Sequence, residues 1–218
     1  MLYIVSTPIG NLEDITYRAV RILKEVDCIA CEDTRTSSVL LKHYDISKPL
    51  LSFHSHSGDM KVDKIINLLK EWKNVALISD AWTPWISDPG YVLIKKAIEE
   101  NLEVSPIPWA SALLSGLVCS WLPSNHFLYL GFLPVKKWRQ TILKTFKDKE
   151  YTVVIYESVH RIEKTLKELS EYLWDDHYAV IWREMTKKFE EFKRWTFKDL
   201  HEHFSKKENQ KWEFVIMF

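Results

Sequence analysis

Two short stretches pair a carboxylate with an arginine. In YESVHR, residues 156–161, Glu157 stands four residues before Arg161, and in CEDTR, residues 31–35, Glu32 and Asp33 lie just ahead of Arg35. A carboxylate can take up a proton, and an arginine beside it can steady negative charge. The same spacing at a helix start also makes an ordinary ion pair worth only tenths of a kcal/mol. REMTK, residues 183–187, adds Glu184 and Met185. The loop SDAWTPWISDPG, residues 79–90, adds Asp80 and Asp88, which suit either a polar ligand or the capping of a turn.

Other polar groups point away from chemistry. In FHSHS, residues 53–57, His54 and His56 share one strand face and Asp59 follows, but no fourth ligand stands at a fitting spacing, so no metal site is expected. Cys28 and Cys31 form a C-x-x-C inside the apolar run VDCIACEDT, where residues three apart point to opposite strand faces. They read as core. With Cys119 they are too few for a disulfide framework.

These groups hang on an alternation of apolar and amphipathic runs. Strands are expected at 2–6, 28–31, 50–53, 75–79, 103–106, 127–130, 152–156, 178–183, 189–193 and 213–218. Helices are expected at 16–25, 37–44, 61–72, 91–99, 111–120, 136–146, 161–173 and 196–205. The pattern predicts an α/β protein with a largely parallel sheet in its first half and a mixed sheet in its second. SWLPSNH, residues 120–126, reads as the boundary between domains at 1–120 and 121–218, with a ligand cleft between them.

Charge says little about partners, because Lys+Arg and Asp+Glu are 30 each. The basic stretches 136–149 and 183–194 read as solvated helix surfaces rather than nucleic-acid contacts. No run of about 18 apolar residues appears, and the chain opens on the strand-like LYIVS, so a cytoplasmic protein is expected.

The composition holds one anomaly. Glycine occurs 5 times and tryptophan 10 times in 218 residues, whereas glycine ordinarily supplies about 7% of a chain. The two together restore roughly that share. Trp72 and Trp174 each follow an amphipathic helix where a left-handed glycine is commonest, and Trp121 precedes Leu-Pro like a stop signal. Trp195 and Trp212 sit in stretches that read as polar turns. Tryptophan therefore stands at glycine positions. One route is the genetic code: some bacterial lineages read a certain stop codon as glycine, others as tryptophan. Ten ordinary TGG codons in the gene would rule this out.

With glycine restored, the loops read SDAGTPGISDPG at 79–90 and PIPGASA at 106–112. Together with TPIGNLEDIT (7–16), CEDTR, GFLP (131–134), YESVHR and REMTK, the chain closely resembles one family. It is similar to the small-subunit (16S) ribosomal RNA methyltransferases that modify a cytidine ribose 2′-hydroxyl, within the tetrapyrrole-methylase fold. Seven colinear motifs between residues 7 and 187 carry the likeness, which runs in order from residue 2 to about 218.

The resemblance implies a two-domain homodimer that binds S-adenosylmethionine in the interdomain cleft and acts on ribosomal RNA or the small ribosomal subunit. It implies cofactor contacts from Pro8 and Gly10, from Asp80, Ala81, Trp82, Thr83 and Pro84, from Pro108, Trp109, Ala110, Ser111 and Ala112, and from Met185. CEDTR, GFLP and YESVHR are the segments expected to approach RNA. A ribose hydroxyl is a weak acid, so a group must accept its proton. Glu157 with Arg161 come first, ahead of Glu32 with Arg35; Asp33, His160 and Glu184 are further candidates.

Two departures from the family pattern carry expectations of their own. Relatives commonly continue into a small helical tail, absent from a chain that stops at Phe218. Trp82, Trp85 and Trp109 fall in the cofactor loops, and an indole of on the order of 200 Å² would block them. The alternatives are thus a methyltransferase of tetrapyrrole precursors, or a chain that is inactive as written.

Overall fold

The structure is a computed structural model and describes residues 1–54, 58–79, 91–108, 111–147 and 149–218. Two compact units divide it, Met1–Ser111 and Ala112–Phe218. The first alternates β1 (Leu2–Val5), α1 (Tyr17–Glu25), β2 (Cys28–Cys31), α2 (Thr34–His43), β3 (Leu50–Ser52), α3 (Asp59–Lys70), β4 (Val75–Ile78), α4 (Tyr91–Glu99) and β5 (Val104–Ile107). All its strand pairs are parallel, in the order β3-β2-β4-β1-β5. Every residue of β2 and β4 is buried, as expected where helices cover both faces. Ile22, Leu23 and Leu41 of α1 and α2 pack on one face, and Val62, Ile66 and Leu93 of α3 and α4 on the other. Cys28 joins the second of these clusters and Cys31 the first, so the C-x-x-C straddles the sheet as two separate core residues.

The second unit contains α5 (Ala112–Ser120), β6 (Phe127–Phe132), α6 (Arg139–Lys144), β7 (Thr152–Glu157), α7 (Ile162–Leu173), β8 (Tyr178–Arg183), β9 (Glu191–Thr196), α8 (Phe197–Phe204) and β10 (Phe214–Met217). Its sheet is mixed, in the order β6-β7-β10-β8-β9, with only the β6–β7 pair parallel. The division between units falls before α5, whereas composition placed a boundary after it. Gly116 of α5 explains this: a Cβ there would stand 3.2 Å from the Met217 side chain of β10 and 3.4 Å from that of Trp182 in β8.

Local chemistry sets the ends of several elements. Asp33 caps α2 by accepting the Arg35 amide at 2.8 Å, which starts that helix three residues earlier than periodicity alone predicts. Strand β6 is one residue out of step between Tyr129 and Gly131, where it pairs with β7, and Gly131 takes φ 60° at this bulge. The expected strand at 189–193 lies instead at Glu191–Thr196, because Glu190 is drawn into the preceding turn by the Thr186 amide.

Five tryptophans occupy glycine-like backbone. Trp72, Trp121, Trp138, Trp174 and Trp212 have φ between 62° and 72°, a region bulky residues avoid at a cost of about 1 kcal/mol or more each. Trp72 closes α3 through two hydrogen bonds, its amide to Leu69 O and the Lys73 amide to Leu68 O. Asn101 closes α4 and Asp45 closes α2 in the same way, with the short polar types that tolerate this conformation. Trp174, at φ 71° and ψ 154°, sits where essentially only glycine is found. Trp138, left-handed at the start of α6, also shortens that helix from the expected 136–146. Trp195 corrects the turn assignment, since it lies within β9; Trp182 lies in β8.

Candidate active site

Because every strand of the first sheet is parallel, its carboxyl ends lie along one edge, and the motifs emerge there side by side. Phe53 of FHSHS follows β3, Glu32 of CEDTR follows β2, Ser79 follows β4, Thr7 of TPIGNLEDIT lies just past β1, and Pro108 of PIPWASA follows β5. Of the helices that follow these strands in sequence, α1 after β1 packs on one face and α4 after β4 on the opposite face. Adjacent strands whose connections part in this way create the crevice in which open α/β sheets hold ligands. At that point Thr7 donates its hydroxyl to the Ser79 carbonyl at 3.0 Å, and Ser6, Thr7 and Ser79 are all buried. These three were not predicted; small hydroxyl residues one or two positions past β1 and β4 were the available signal.

Pro8 and Ser111 are half-buried, Ala112 is buried, and Gly10 and Pro108 are exposed. Asp80, Ala81, Trp82, Thr83, Pro84, Trp85, Asp88, Trp109 and Ala110 lie outside the described residues, as does His56. Among the described residues, no cluster of three or more His, Cys, Asp or Glu could hold a metal ion. In CEDTR, Arg35 binds the Asp33 carboxylate through Nη2 at 2.7 Å and Nε at 3.1 and 3.2 Å. The hydrogen bond from the Arg35 side chain is the main reason the Asp33 carboxyl sits at about 2, below its usual 3.8. Arg35 keeps 90% of its side chain exposed, and Glu32 is half-buried.

The second sheet gathers three motifs along one end. Across it, Glu157 of β7 pairs with Phe214, Phe214 with Arg183, and Arg183 with Glu191, while GFLP follows from β6 beside β7. Glu157 is fully buried. One carboxylate oxygen accepts from the Ser158 amide at 2.8 Å and forms an ion pair with Arg161 Nε at 2.7 Å; the other accepts from the Thr165 hydroxyl at 2.6 Å. Arg161 in turn donates to the Leu133 carbonyl at 2.8 Å. Arg139, itself buried, binds Thr165 Oγ1 at 2.7 Å, Glu168 at 2.6 Å and the Pro134 carbonyl at 3.2 Å. The network ties GFLP to α7. Its members Arg139 and Thr165 were not predicted, because a buried arginine inside KKWRQ looks like a surface one.

The turn after β8 is strained. Glu184 has φ 51° and Thr186 φ 65°, the latter uncommon for a β-branched residue. Glu184 and Met185 are buried, and the Thr186 hydroxyl oxygen is buried without a hydrogen-bond partner. His160 is exposed at the start of α7. Burial pushes the Glu191 carboxyl up, but hydrogen bonds from Arg183 and Lys193 more than offset this and leave it below its usual value.

Residues 1–201 match the family model described as Tetrapyrrole (Corrin/Porphyrin) Methylases. The chain belongs to the tetrapyrrole methylase family. Within it, the chain is 44% identical over 217 residues to the protein named Ribosomal RNA small subunit methyltransferase I of Halalkalibacterium halodurans, covering 99% of this chain and 74% of that one. The protein of the same name from Thermotoga maritima is 46% identical over 206 residues, covering 94% and 92%. Solved tetrapyrrole methylases share the fold at much lower identity. A cobalt precorrin-4 methyltransferase superposes with a TM-score of 0.75 at 16% identity, covering 99% of this chain and 93% of that one. The uroporphyrin-III C-methyl transferase of Thermus thermophilus, complexed with S-adenosyl homocysteine, gives 0.67 at 16%, covering 99% and 96%.

Proposed function

We propose that this chain methylates small-subunit ribosomal RNA, using S-adenosylmethionine and acting on the 2′-hydroxyl of a cytidine ribose, as a homodimer in the cytoplasm. The observation that carries this reading is identity of 44–46% along nearly the whole chain to ribosomal RNA methyltransferases, against 16% to the two tetrapyrrole enzymes. The first unit suits the cofactor. Hydroxyls of Ser6, Thr7 and Ser79 cluster where β1 and β4 part, and polar backbone at the ends of β1, β4 and β5 matches a ligand that combines a ribose with an amino acid. Pro8, Gly10, Pro108 and Ser111 of this unit are assigned to hold it. S-adenosylmethionine supplies the methyl group.

What remains for the chain is alignment and proton removal. Holding a nucleophile in line can lower a barrier by roughly 7–11 kcal/mol in favourable cases. Glu157 and Arg161 serve this purpose as positioning residues, because the carboxylate is enclosed and all its visible partners are internal. The proton-accepting role passes to Glu32, half-buried at the end of β2, with Arg35 steadying the developing charge.

The test is transfer of labelled methyl groups to small-subunit RNA and, separately, to a precorrin-type macrocycle. It is run on the chain as written and on a version with all ten tryptophans changed to glycine. Label in RNA, recovered as a 2′-O-methylcytidine after nuclease digestion, is the expected result. Label in the macrocycle alone would overturn the reading.

A further inference from the structure

The two basic stretches seen in the sequence differ in part in how they are neutralised. In 183–194, Arg183 and Lys193 are both taken up by Glu191, at 2.7 and 3.1 Å, and Arg194 donates to the Cys119 carbonyl, while Lys187 and Lys188 lie over the rings of Trp212 and Phe189. In 136–149, only Arg139 turns inward to an acid. Lys136, Lys137, Lys144, Lys147 and Lys149 are exposed, and no carboxylate among the described residues lies within ion-pair distance of them. Elsewhere Lys70 pairs with Glu100 at 2.9 Å and Lys95 with Glu99 at 3.7 Å, while Lys198, Lys206, Lys207 and Lys211 are exposed without an ion pair among the described residues, so it is placement beside GFLP that sets the 136–149 lysines apart.

Topology makes these five lysines a line. Strands β6 and β7 are parallel, so α6 and the turn after it run back alongside them. The line begins at Lys136 and Lys137, next to GFLP and the Glu157–Arg161 pair. It ends at Lys147 and Lys149, which border a depression of about 250 Å³ at the opposite end of β7 together with Glu150, Tyr151 and His177. Six residues of β7 span roughly 20 Å, room for several phosphates. Lysine is a compact point charge suited to phosphate without reading sequence.

We infer that Lys136, Lys137, Lys144, Lys147 and Lys149 form a phosphate-binding track that carries the RNA backbone away from the GFLP end of the second unit. This rests on the RNA reading above and adds the surface that holds the substrate.

The test is binding of a small-subunit ribosomal RNA fragment across a range of salt concentrations. The full chain is compared with a variant carrying Lys136→Gln, Lys137→Gln, Lys144→Gln and Lys147→Gln. Each phosphate contact contributes about 0.7–0.9 to the slope of log K against log salt. The variant should lose about 3 from that slope, and on the order of 10²-fold in affinity near physiological salt. A control with Lys198→Gln, Lys206→Gln, Lys207→Gln and Lys211→Gln removes equal charge elsewhere on the same unit and should keep the slope. Calorimetric binding of S-adenosylmethionine should be equal in all three, which shows that each is folded. An unchanged slope in the first variant, or an equal loss in the control, overturns the track while leaving the RNA reading intact. Failure of the chain to bind or methylate RNA, both as written and with all ten tryptophans changed to glycine, overturns both.

Discussion

Glu157–Arg161 and Glu32–Asp33–Arg35 look alike on paper and differ in space. Each follows a strand end, opens a helix and sets an arginine within four residues of a carboxylate. Around Glu157 the structure closes: β10 lies beside it, α7 supplies Thr165, and no surface of the residue is exposed. Around Arg35 it opens, with the guanidinium in solvent and Asp33 spent partly on capping α2. Spacing thus announces a partnership, and burial decides its use. A carboxylate with internal partners on both oxygens is suited to holding the chain still, whereas a half-buried one at a strand end can meet a substrate.

The largest test of this contrast is Glu157→Ala. It leaves Arg161 and Thr165 without their acceptor in a dry site, and urea unfolding should show a loss of about 3–5 kcal/mol. A loss under 1 kcal/mol would mean that the closed cluster is not structural. Next is Glu32→Gln, expected to lower kcat by about 10²-fold or more while the unfolding free energy shifts by less than about 0.5 kcal/mol. If kcat holds and stability falls instead, the two clusters have exchanged roles. The smallest effect concerns Asp33. Its carboxyl lies at about 2 in the folded chain, so the help it gives folding is complete above its usual 3.8 and is lost as pH falls toward 2. Carboxyl titration by NMR should return Asp33 toward its usual range in Arg35→Ala.

Much of the architecture was legible because local signals agreed. Strands Cys28–Cys31 and Tyr178–Arg183 and helix Tyr91–Glu99 fall at the limits their periodicity predicts. The glycine-like character of Trp72, Trp121 and Trp174 was equally plain, since helix stop signals are local. What the sequence hid is long-range. The Thr7–Ser79 bond joins residues 72 apart, and Arg139 reaches Glu168 across 29 positions. Neither can be read from neighbours in the chain. The enclosure of Glu157 depends on β10, the last strand in the sequence, and so could not be inferred from YESVHR alone.

The three helix ends at Asp45, Trp72 and Asn101 share one set of hydrogen bonds, yet only one carries a residue the backbone disfavours. Such a cap works like a parity bit. It records, in dihedral angles, the class of residue that belongs at a position, independently of the letter written there. Where letter and angle disagree, as at Trp72, the backbone marks a position suited to glycine, and any protein rich in tight helix ends carries the same built-in check on its residues.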